Sequence, residues 1–141
     1  MIALQWTFLE TGHITDYLVA DQVALLTASP QNPLPSILRD TCAWIQSRIP
    51  EKLHPNPMAT NHIPLACKTA ACHLIIEALQ SRFPELQLTQ DQVRNAEQAR
   101  KTLEELSLYW QQQWKEKRNK SRLEAVYYRY REARHTTMKG L

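Results

Sequence analysis

Apolar residues recur at helical spacing along most of this chain. Leu34, Ile37, Leu38, Thr41, Trp44, Ile45 and Ile49 fall on one stripe, which predicts a helix over 35–49. Pro33 and Pro35 open it, and a proline in a first turn costs little because its missing N–H would be unpaired there anyway. Leu65, Thr69, Cys72, Ile76, Leu79 and Phe83 step by four, three, four, three and four, which predicts a helix over 63–83. Pro64 sits in its first turn, and Pro84 forces Phe83 out of the helical region and ends it. Ala66, Ala70, Ala71 and Ala78 would let a neighbouring helix come close. Val93, Ala96, Leu103, Leu106, Trp110 and Trp114 form the stripe of a long helix over 89–114. It is opened by Thr89 and Gln92, whose hydroxyl and amide can satisfy each other's exposed backbone donors. A shorter helix over 16–28, beginning near Ala20, would turn Val23, Leu25 and Leu26 inward.

The two ends read differently. Ile2, Leu4, Trp6 and Phe8 alternate, a short strand pattern. No partner strand is evident, so the segment is either an arm that pairs with another subunit or a stretch folded onto its own helices. Residues 50–62 (PEKLHPNPMATNH) form a long polar loop with three prolines, and such loops are often functional. Near the other end, Ser121 and Glu124 fit a second capping box. That predicts a separate helix over 122–134, with 115–120 (KEKRNK) as a hinge or a continuous exposed link. Leu123, Val126, Tyr127 and Tyr130 make its narrow apolar-aromatic stripe.

The expected fold is therefore all-α: a small bundle of four core helices plus a basic C-terminal helix or arm, with a short strand-like N-terminal arm. Residues 1–13 are the arm, 14–114 the helical core and 115–141 a basic docking segment. The expected core is Ile37, Leu38, Trp44, Ile45, Leu65, Cys72, Ile76, Leu79, Val93, Leu103 and Leu106.

Composition narrows the chemistry. The chain has two glycines in 141 residues, Gly12 and Gly140, and neither lies between strand-like runs, so neither a phosphate-cradling loop nor an all-β architecture is expected. Cys67 and Cys72 would stand roughly 140° apart on a helix and do not converge on one metal. With Cys42 they make an odd number inside helix-like segments, which favours a reduced, intracellular setting over a disulfide framework. His13, His54, His62, His73 and His135 are scattered. His54 and His62 share the proline-rich loop without a third ligand and read as solvated residues. No metal, cofactor or catalytic residue is expected, and no enzyme. No run is apolar enough to span a bilayer, and no signal peptide is expected at the start of the chain.

Charge is uneven. Residues 115–141 hold nine Lys/Arg and three acids, a net of +6, while the first 114 residues hold eight basic and eleven acidic residues, a net of −3. A mildly acidic body with a basic, tyrosine-bearing arm suits docking onto an acidic partner, nucleic acid or protein. Arg118, Lys120, Arg122, Leu123, Val126, Tyr127, Tyr128, Tyr130, Arg131 and Arg134 are the candidate docking residues. The charges would steer encounter and the aromatic groups would anchor it. Trp110 and Trp114 suggest a surface covered by another element, either within the chain or on a neighbouring subunit.

The order of these elements resembles the head–tail connector (adaptor, or head-completion) proteins of tailed bacteriophages. The resemblance rests on DYLVADQVALL (16–26), LPSILRDTCAWIQSRI (34–49), IPLACKTAACHLIIEAL (63–79) and DQVRNAEQARKTLEEL (91–106). It covers about residues 14–110, and Ala66 and Cys67 ahead of Lys68 depart from the pattern by shifting its basic residue. The resemblance implies a helical structural virion protein at the phage neck, made in the bacterial host cytoplasm. It implies a ring homo-oligomer, commonly of twelve subunits, between the portal protein and a tail-side stopper or tail-terminator protein. The genomic DNA would pass through its channel, with no membrane and no cofactor involved. The C-terminal segment would dock on the portal. The alternatives are a small helical nucleic-acid-binding protein, with the Arg/Tyr helix on phosphates and bases, and another helical adaptor or assembly chaperone.

Overall fold

A computed structural model describes the backbone of residues 4–139 and the side chains of 4–115, Ala125 and Val126. It is mainly helical, 68% helix and 5% strand, with five helices and one two-stranded sheet. The order is β1 (Trp6–Phe8), α1 (Thr11–Thr15), α2 (Ala20–Ala28), α3 (Leu34–Ser47), β2 (His62–Pro64), α4 (Lys68–Arg82) and α5 (Gln90–Lys139), with 3₁₀ turns at Glu51–Leu53 and Leu65–Cys67. The chain divides into two compact units, Met1–Ser107 and Leu108–Leu141.

Within the first unit α4 is the central helix, packing against both α1 and α3. It buries Ala70, Ala71, Cys72, Ile75, Ile76 and Leu79. The alanines remove side-chain bulk where helices meet, and the branched residues fill the remaining space. Opposite it, α3 buries Leu34, Ile37, Leu38, Cys42 and Ile45. Pro35 lies in the first turn of α3, as expected. At the far end of α4, the Phe83 N–H still reaches the Leu79 carbonyl at 2.7 Å before Pro84 stops the helix.

The N-terminal strand has its partner inside the chain. β1 pairs antiparallel with β2, with Trp6 opposite Pro64, Thr7 opposite Ile63 and Phe8 opposite His62. This corrects the reading of an arm waiting for another subunit to supply its strand. It also corrects the third helix, which starts at Lys68 and not at Ile63. Pro64 fits a strand here because its missing N–H falls at a position that bonds no residue of β1. Asn61, just before β2, has φ of 61°, a left-handed conformation that asparagine tolerates better than most residues. The Asn61 carbonyl accepts the Leu9 N–H at 2.9 Å.

Three expected core residues are on the surface. Leu65 falls in the 3₁₀ turn that replaces the first turn of the expected helix and is 50% exposed; Trp44 is 42% exposed, and Val93 is exposed too. Among the described residues of α5 within the first unit the buried positions are Gln92, Ala96, Ala99, Leu103 and Ser107. The seam is rotated by about one residue from the apolar pattern, which excludes Val93 and takes in Gln92. Leu25 is likewise exposed, and Gln22 takes the inward place on α2.

Gln22 and Gln92 account for both shifts. The Gln22 Nε2 donates to Gln92 Oε1 at 2.8 Å and the Gln92 Nε2 donates to Gln22 Oε1 at 2.7 Å. Each carbonyl also caps its own helix: Gln22 Oε1 accepts the Val19 N–H and Gln92 Oε1 accepts the Thr89 N–H, both at 3.0 Å. The remaining donors reach the carbonyls of Gln87 at 2.8 Å and Tyr17 at 3.4 Å. The Thr89 hydroxyl completes the expected capping box by accepting the Gln92 N–H at 3.1 Å. Two helix starts are thus joined through one saturated pair of amides, which is why two polar side chains can be buried there.

α5 runs from Gln90 to Lys139 without interruption, so of the two readings of 115–120 the backbone is continuous and not a hinge, and no separately capped helix exists at 122–134. KEKRNK contains no proline or glycine, and charged straight-chain residues propagate a helix readily. Ser121 and Glu124 lie mid-helix.

Candidate docking surfaces

On the second unit Ala125 and Val126 are exposed. The other proposed docking residues, Arg118, Lys120, Arg122, Leu123, Tyr127, Tyr128, Tyr130, Arg131 and Arg134, lie on the α5 backbone, and their side chains are outside the described residues. Trp110 is 6% exposed in the single chain, while Leu108 and Tyr109 beside it are exposed. Trp114 is half-buried.

The first unit carries a surface that the periodicity hid. Trp44 belongs to the apolar stripe of α3 in sequence, yet it is half-exposed and Arg48 stacks over its ring at 4.8 Å from the ring centre. Beside the ring lies a shallow groove of about 320 Å³ lined by Asp40, Thr41, Trp44, Leu74, Glu77 and Arg100. Two ion pairs border it. Arg82 reaches Asp40 at 3.2 Å and also donates to the Ser36 hydroxyl, and Arg100 pairs with Glu77. Exposed pairs of this kind contribute little to stability. Around a half-exposed tryptophan they resemble the polar rim of an interface. The available signal was Arg48 four residues after Trp44, a cation placed to cover a ring that points outward.

The two loop histidines are not solvated residues. Phe8 stacks flat on the His62 ring at 4.3 Å, and Trp6 meets the rings of both His62 and His54, at 5.5 and 5.8 Å. The His54 Nε2 lies 3.0 Å from the carbonyl of Gln46, in the last turn of α3, and 2.9 Å from that of Ile49 just beyond it. The Gln46 amide in turn donates to the carbonyls of Ala59 and His62. These contacts tie the 50–62 loop to the end of α3 and to the sheet. The cluster is a brace.

The three cysteines are buried in the first unit. Burial pushes the thiols of Cys42 and Cys67 up to about 12, and that of Cys72 up to about 11 despite Lys68 nearby. They stay protonated at neutral pH and behave as small apolar side chains. His73, edge-on to the Tyr17 ring at 5.0 Å, has its pKa lowered by burial. Among the described residues no group of three or more His, Cys, Asp or Glu is arranged to hold a metal, and no helix is long and apolar enough to cross a membrane.

No protein-family model, no curated protein and no solved structure matches this chain.

Proposed function

We propose that this chain is a structural subunit of a head–tail connector ring at the neck of a tailed bacteriophage. In this reading the ring joins the portal to a tail-side stopper or terminator and continues the DNA channel. The observation that carries the proposal is α5. Its turns within the first unit pack by a capped, buried seam, and its second half carries the +6, tyrosine-bearing sequence. A folded helical unit that offers a basic helix suits a protein whose task is to join other proteins. The mainly helical unit and the four resembling segments support the same reading. So does the half-exposed Trp44 beside its groove, since ring neighbours must bury apolar surface on each other.

Portal docking by 115–141 is tested by sedimenting the chain with the portal ring of the same genome, at low and high salt, beside a DNA-only control. Stoichiometric capture that is lost on deleting 119–141, with the first unit still folded, is the expected result. Unchanged capture after truncation would remove the docking role of the tail. No capture, with DNA binding that weakens steeply as salt rises, would replace the connector by the nucleic-acid-binding alternative.

A further inference from the structure

We draw no further inference here: the strongest candidate, the shallow groove beside the half-exposed Trp44 on the α3–α4 face, carries nothing because its acids Asp40 and Glu77 already pair with Arg82 and Arg100 and nothing in the structure shows what covers it.

Discussion

Replacing Gln92 by leucine should destabilise the first unit far more than its position near a helix start suggests. The amide of Gln92 makes four hydrogen bonds: it accepts from the Thr89 N–H and Gln22 Nε2, and donates to Gln22 Oε1 and the Tyr17 carbonyl. Gln92 is 8% exposed and Gln22 is 3% exposed, so water does not readily replace the lost partners. A hydrogen bond contributes about 0.5–1.5 kcal/mol net, and a buried group left unpaired costs about 1–3 kcal/mol. The 3.4 Å bond to Tyr17 is weak, and the Thr89 N–H can turn to solvent. The loss is therefore dominated by the stranded Gln22 amide, and Gln92→Leu should cost about 2–4 kcal/mol. Gln22→Leu should cost a similar amount. The double variant removes both partners together and should cost less than the sum, with a coupling of about 1–3 kcal/mol. Urea unfolding of the four chains, followed by far-ultraviolet circular dichroism, closes the cycle. Additivity of the two single changes to within about 0.5 kcal/mol would refute the shared network.

Two further outcomes follow from burial. Ile75→Ala removes a wholly buried side chain from the central helix and should cost about 2–5 kcal/mol, whereas Trp44→Ala, with its ring half outside, should cost clearly less in the same urea titration. The thiols of Cys42, Cys67 and Cys72 ionise in the unfolded chain near 9 and in the folded chain at about 12, 12 and 11. Their contribution is fully present below pH 9. Above it the unfolded state binds fewer protons than the folded one, so stability falls as pH rises toward the folded values. Native-state thiol labelling should accordingly be slow until the chain is unfolded, and rapid labelling of all three in the folded chain would contradict their burial.

Helix positions that depend on local grammar were legible in the sequence. Prolines at the start of α3 and after α4, the apolar spacing of Ile37, Leu38 and Ile45, and the Thr89–Gln92 capping box each act within a few residues, and each is found where the sequence places it. The tertiary structure alone decided the rest, because it depends on partners distant in sequence. β1 is three residues long and acquires meaning only from β2, whose residues read as loop and helix start. Gln22 and Gln92 are polar in any pattern, and become core only when each meets the other across 70 residues of chain. Trp44 is apolar in any pattern, yet lies outside while Cys42 and Ile45 on the same helix are buried. The basic charge of 115–141 is fixed by sequence, and so is the continuity of 115–139 with α5, since no proline or glycine stops the helix begun at Gln90.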